Sequence, residues 1–132
     1  MHNPPLILLA DDDDNFGEVI GKELESLGFE VQKVTNGADA VKKAGEIMPD
    51  LVLMDIRMPG ELNGVDAALA IKENPDTREL KIAFLSSADD PWPAFVGDNA
   101  AVSQAFGMED FISKTESLDV FVAKVKGFLG LA

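Results

Sequence analysis

The chain contains no cysteine and only one histidine, one tryptophan and 11 basic residues. Without cysteine there is no disulfide framework and no thiolate metal site, which is compatible with a reducing compartment and a cytoplasmic location. The 11 Lys and Arg face 24 Asp and Glu, for a formal net charge of -13. Such a chain is repelled by nucleic acid and by anionic membranes, so its expected partners are proteins, cations or both. No apolar run approaches the roughly 20 residues that a membrane span needs. The terminus Met1-His2-Asn3-Pro4-Pro5 lacks the basic and apolar regions of a signal peptide. Internal repeats and linkers are also missing, and the one biased tract is a run of acids. What remains is 132 residues, 46% of them hydrophobic, enough for one domain over 1–132 with its own core.

Strand and helix patterns alternate along that length. Leu6-Ile7-Leu8-Leu9-Ala10 is continuously apolar, as in a strand buried on both faces. Phe16, Val19, Ile20, Leu24 and Leu27 then recur at helical spacing up to Gly28, with Asp14-Asn15 as the expected cap. Phe29–Val34 reads as a strand nearer the sheet edge. Thr35 or Asn36 caps a helix carrying Ala40, Val41, Ala44 and Ile47, which Pro49 ends. Leu51–Asp55 is a third strand and Met58–Gly64 a loop. Val65–Lys72 is a short helix and Lys81–Leu85 a fourth strand. Residues 88–107 hold Pro91-Trp92-Pro93 and an ambiguous helix around Ala100–Phe106. Asp110–Ile112 is a short strand. The last helix puts Leu118, Phe121, Val122, Val125 and Phe128 on one face. Five strand–helix units predict an α/β, doubly wound parallel sheet between two helix layers.

The acids matter because of where they fall. Asp11-Asp12-Asp13-Asp14 directly follows the first strand, and Asp55 ends the third. In a parallel sheet these carboxylates meet at the C-terminal edge, with Ser86 and Lys114 at the ends of the fourth and fifth strands. Asp11, Asp12 and Asp55 are too close there to stay ionised without a cation, and hard oxygen ligands suit Mg²⁺, or another divalent ion such as Mn²⁺ or Ca²⁺. A carboxylate, a metal, a lysine and a hydroxyl are together the groups that phosphoryl transfer to an acid requires.

Four stretches carry a resemblance to one family. They are Ile7–Asp13, Pro49–Gly60, Phe84–Ser87 and Gly107–Lys114, and in this order they resemble the receiver domain of two-component response regulators. The resemblance implies a flavodoxin-like (βα)5 three-layer sandwich, with sheet order 2-1-3-4-5 and five helices. It implies a switch protein rather than a conventional enzyme, catalysing only its own phosphorylation and dephosphorylation. Asp55 resembles the phospho-acceptor, Asp12 the direct metal ligand and Asp11 the acid that reaches the metal through water. Arg57 resembles the residue whose backbone carbonyl completes the metal site. Ser86 resembles the switch hydroxyl, Lys114 the lysine that pairs with Asp55 or its phosphate, and Phe111 the aromatic whose rotamer reports the state. The implied partners are a sensor histidine kinase or phosphotransfer protein and an output protein, with the chain a monomer or a phosphorylation-dependent dimer.

Three features depart from the family pattern. Lys114 is followed by Thr115 where the family has a cis proline; a cis bond without proline costs about 2.5–4 kcal/mol, so a trans bond and an altered loop are expected. Ser86 and Lys114 are 28 positions apart, which suggests extra residues within Pro91–Asn99. The loop after Pro59 is one residue longer than the common form. Taken singly, each motif has a plainer reading. Asp13 and Asp14 suit a helix N-terminus, Lys114 a surface lysine, Ser86 a turn cap, Phe111 a core cover and Trp92 a loop anchor. His2, in a frayed terminus, is a poor phosphodonor. Two alternatives follow: a degenerate receiver acting as a constitutive interaction module, or a small phosphatase or phosphotransferase. The second commonly needs an acid two residues after the nucleophile, where this chain has Arg57. The acidic balance and the missing linker favour a stand-alone protein over a module of a longer one.

Overall fold

The computed structural model describes residues 2–60, 62–86 and 110–131 of the chain. Five strands form: β1 (Leu6–Ala10), β2 (Glu30–Val34), β3 (Leu51–Asp55), β4 (Ile82–Ser86) and β5 (Asp110–Ser113). The described helices are α1 (Asp14–Ser26), α2 (Gly37–Ile47), α3 (Gly64–Glu73) and α4 (Leu118–Phe128). All strand pairs are parallel, in the order β2-β1-β3-β4-β5. The expected helix at Ala100–Phe106, the Pro91–Asn99 insertion and Trp92 lie outside the described residues.

The period of two in a strand sorts the core into two layers. Leu8, Ala10, Val52, Met54, Ile82 and Phe84 pack with Ala40 and Ala44 of α2 and with Ala67, Ala68 and Ile71 of α3. Ile7, Leu9, Leu51, Leu53, Ala83, Leu85 and Ile112 pack with Ile20 and Leu24 of α1 and with Phe121 and Val125 of α4. Strands β1, β3 and β4 are buried at every position, which is why they read as unbroken apolar runs. Strand β2 is an edge strand with exposed Glu30, Gln32 and Lys33.

A short polar side chain opens every described helix. Asp13, Asn36, Asn63 and Ser117 accept a hydrogen bond from the backbone N–H of Phe16, Asp39, Asp66 and Val120, respectively. An acid follows in each first turn (Asp14, Asp39, Asp66, Asp119), where the helix dipole favours it. The cap of α1 is therefore Asp13, one residue ahead of the expected Asp14-Asn15, because Asp13 has the extended backbone a cap requires.

The structure departs from the sequence reading at several apolar positions. Val19, Leu27 and Leu118 fit helical spacing yet are exposed, because each helix meets the sheet along a narrower stripe than the pattern allowed. Strand β4 begins at Ile82 and runs one residue further than expected, so that Ser86 is its last residue. The amino terminus is tied rather than frayed. His2 N donates to both Asp50 carboxylate oxygens (3.1 and 3.2 Å), and its Nε2 lies 2.9 Å from the Met48 carbonyl oxygen. Asp50 also accepts from Leu6 N at 2.8 Å, which joins the terminus to the turn before β3.

Candidate functional site

The sheet order reverses direction on either side of β1, so the loops after β1 and β3 leave toward opposite helix layers and open a crevice between them. Pairing of Ala10 with Met54 sets Asp11 beside Asp55. Pairing of Ser86 with Ser113 carries Lys114 to the same edge. Strands β1, β3 and β5 continue their ladders one residue past their ends: Asp11 N donates to Val34 O (3.0 Å), Ile56 N to Leu85 O (3.2 Å) and Lys114 N to Ser86 O (2.8 Å). The candidate site residues Asp11 and Lys114 thus stand on backbone that is hydrogen-bonded to a neighbouring strand.

Three carboxylates converge there. One oxygen from each of Asp11, Asp12 and Asp55 lies within 4.8 Å of the others. Asp11 and Asp55 are buried and Asp12 is exposed. The Lys114 ammonium bridges the buried pair, with Nζ 2.8 Å from Asp11 Oδ2 and 3.2 Å from Asp55 Oδ2. Backbone N–H groups hold the other oxygens: Asp13 N donates to Asp11 Oδ1 at 2.9 Å, and Arg57 N to Asp55 Oδ1 at 3.3 Å. Asp11 Oδ2 is buried without a well-directed hydrogen bond, although the ammonium lies against it as an ion pair.

Burial, and then the charge of Asp11, push the Asp55 carboxyl up to about 7; Lys114 and the Arg57 N–H pull it down by less. For Lys114, burial alone would lower the pKa, but the close contact and charge of Asp11, followed by Asp55, outweigh burial and raise it. Lys114 therefore stays charged while Asp55 sits near the midpoint of its titration at neutral pH. With three carboxylates against one ammonium and a buried oxygen lacking a directed partner, the pocket suits a hard divalent cation.

Of the expected site residues, Asp11, Asp12, Asp55 and Lys114 come together, and Ser86 is buried at the end of β4, its carbonyl bonded to Lys114 N. Arg57 is exposed just after Asp55. Phe111 lies on β5 opposite Phe84 by backbone register, and its side chain is outside the described residues. The Lys114–Thr115 bond is trans, as expected without proline: among the described residues the cis bond is Asn3–Pro4. In place of a proline-locked loop, Thr115 N donates to Ser113 Oγ (3.2 Å), and the Ser113 and Thr115 hydroxyls lie 2.7 Å apart.

Two contributors escaped the sequence reading. Gly64 opens α3 with its N–H on Ile56 O at 2.9 Å, so tightly against β3 that a Cβ would overlap the Asp55 carbonyl oxygen. In sequence it looked like turn punctuation, and a glycine directly after a cap residue was the available signal. Phe16 reads as core, but its ring lies beside Lys114. Only its place four residues after Asp12 hinted at that.

A five-stranded 2-1-3-4-5 sheet with an acid pocket and a lysine at its C-terminal edge defines a receiver-type switch domain. Residues 7–126 match the family described as response regulator receiver domain, and the chain belongs to that family. It is similar to the polar-differentiation response regulator DivK of Brucella anthropi, with 28% identity covering 96% of this chain and 98% of that protein. Two solved receiver domains are also similar. One, from a signal transduction histidine kinase of Syntrophus aciditrophicus, has 29% identity and a TM-score of 0.80, covering 96% of this chain and 90% of that one. The other belongs to the sensor histidine kinase PA1611 of Pseudomonas aeruginosa and carries magnesium in its active-site cleft; identity is 31% and TM-score 0.79, covering 96% and 98%. Among the described residues, no helix is long and apolar enough to cross a membrane.

Proposed function

We propose that Asp55 accepts a phosphoryl group from a histidine kinase, a phosphotransfer protein or a small acyl phosphate, and that the modified domain changes its affinity for an output protein. The observation that carries this is the Lys114 ammonium seated between the Asp11 and Asp55 carboxylates at the sheet edge. In the transfer, an ionised Asp55 oxygen attacks phosphorus. The P–Asp55 bond forms as the bond to the donor's imidazole nitrogen or acyl oxygen breaks, and the donor leaves with that electron pair. Lys114 stands beside the receiving oxygen, where its fixed charge offsets the charge spread over the phosphoryl oxygens. Asp11, Asp12, Asp55 and the Arg57 backbone carbonyl would hold a divalent cation, which supplies further positive charge to those oxygens. Magnesium is the first choice, because a similar receiver holds it in its cleft. Ser86, buried at the end of β4, is the hydroxyl that would follow the phosphoryl group, and Phe111 the aromatic that would move with it.

The net charge of -13 supports protein rather than nucleic-acid partners. Arg57 in place of an acid leaves a hydrolase reading without its general acid. Intact mass after incubation with a small acyl phosphate or beryllofluoride, with and without Mg²⁺, tests the proposal. The expected result is a Mg²⁺-dependent adduct that Asp55→Asn abolishes while the protein stays folded. A folded wild type without adduct would point to the constitutive interaction module instead.

A further inference from the structure

Lys114 is held on one side by carboxylates and on another by an aromatic ring. Its Nζ lies 4.9 Å from the centroid of Phe16, within the range where a ring face attracts a cation. Phe16 occupies the first turn of α1, where its backbone N–H donates to the Asp13 cap at 3.1 Å. Its ring meets Phe121 edge-on, with centroids 5.9 Å apart and planes at 68°. Phe121 is 2% exposed and belongs to the core between α1 and α4. A chain of contacts therefore runs from the core through two rings to the ammonium. The turn beyond Lys114 has no proline to lock it and rests on the hydroxyls of Ser113 and Thr115.

We infer that Phe16 is a positioning residue: its ring, braced by Phe121, holds and partly desolvates the Lys114 ammonium so that it faces Asp11 and Asp55. This rests on the proposed phosphoryl-acceptor function of Asp55. A lysine carries four rotatable bonds, and its charge is most effective when it need not be gathered from many rotamers at the moment of transfer. Two carboxylates lie against the ammonium as ion pairs, and the ring covers space that water would otherwise fill. An aliphatic side chain at position 16 fills similar volume but lacks the negative ring face.

The test compares Phe16→Leu and Phe16→Tyr, each alone and with Lys114→Ala, for the rate of Mg²⁺-dependent labelling by a small acyl phosphate. Phe16→Leu should label roughly three- to thirtyfold more slowly, the span of a cation–π contact converted to rate, and Phe16→Tyr should stay near wild type. In the Lys114→Ala background, Phe16→Leu should cost nothing further. A wild-type rate in Phe16→Leu, an equal loss in both variants, or an undiminished loss without Lys114 would overturn the inference. A second readout is independent of labelling. The Lys114 ε-methylene protons should show an upfield ring-current shift by NMR that Phe16→Leu removes and Phe16→Tyr keeps. A wild type that never labels would defeat the acceptor function, and this shift alone would then decide the role of Phe16; an unchanged shift in Phe16→Leu overturns it. Should Phe16→Leu fail to fold, Phe16→Met serves in both measurements.

Discussion

Replacing Asp55 by asparagine should make the protein more stable than the wild type at alkaline pH, with the advantage shrinking as the pH falls toward the unfolded carboxyl value. The side chain is buried against Asp11, and its carboxyl titrates at about 7 in the folded state against an ordinary value of 3.8. A carboxylate whose pKa is raised on folding contributes stability that is fully present below the unfolded value. That contribution is lost as the pH rises through the folded one. For Asp55 the window runs from about 3.8 to about 7. Between pH 5 and pH 8 the loss is roughly 2–3 kcal/mol, since each tenfold fall in proton concentration within the window costs about 1.4 kcal/mol. Asparagine has the shape of the neutral acid and does not ionise, so it escapes this loss. Lys114, raised from 10.5, stays charged across the whole window in the wild type and drops out of the comparison. The assay is urea unfolding by circular dichroism, with chelator present, at half-unit steps from pH 5 to pH 8. Parallel stability curves for the two proteins, or a variant that loses ground as the pH rises, would refute the electrostatic account of the pocket.

Three further outcomes follow from the structure. Mg²⁺ should raise the melting temperature of the wild type, by an amount worth about 2.7 kcal/mol when it is present at a hundred times its dissociation constant. The rise should be smaller at pH 6 than at pH 8, because the proton on Asp55 competes for the ligand, and an unchanged melting temperature at millimolar Mg²⁺ would contradict an assembled pocket. Gly64→Ala should destabilise by about 3 kcal/mol or more, since its Cβ overlaps the Asp55 carbonyl at the end of β3 and lies 2.9 Å from the backbone Cα of Ile56 just after it. Gly45→Ala, on an α2 face with nothing within 4 Å, should instead gain about 0.5–1 kcal/mol, and thermal melts of the pair would separate crowding from helix propensity.

Much of the architecture was legible because burial on both faces leaves an unmistakable mark. Leu6–Ala10 and Leu51–Asp55 match their strands to the residue, since a central strand covered on both faces calls for a short continuous apolar run. Helix faces were read less well. Val19 and Leu118 obey helical spacing, yet they sit at the margin of the stripe that meets the sheet, and spacing cannot say how wide that stripe is. The cap of α1 was blurred because four consecutive acids can each act as a cap, and only backbone dihedral angles single out Asp13.

The candidate site divides in the same way. Residue order and strand ends by themselves were enough to bring Asp11, Asp12, Asp55, Ser86 and Lys114 to one sheet edge, because a parallel sheet sends every strand's C-terminal end the same way. The absence of proline at Thr115 likewise determined a trans bond, through the energy of the amide alone. Tertiary structure decided the rest. It set which carboxylates are buried, the bridging of Asp11 and Asp55 by Lys114, the rise of Asp55 toward neutrality, and the approach of Phe16 and Gly64 from separate helices. These depend on desolvation and on distances of a few ångströms between segments far apart in the chain, which no local pattern of residues encodes.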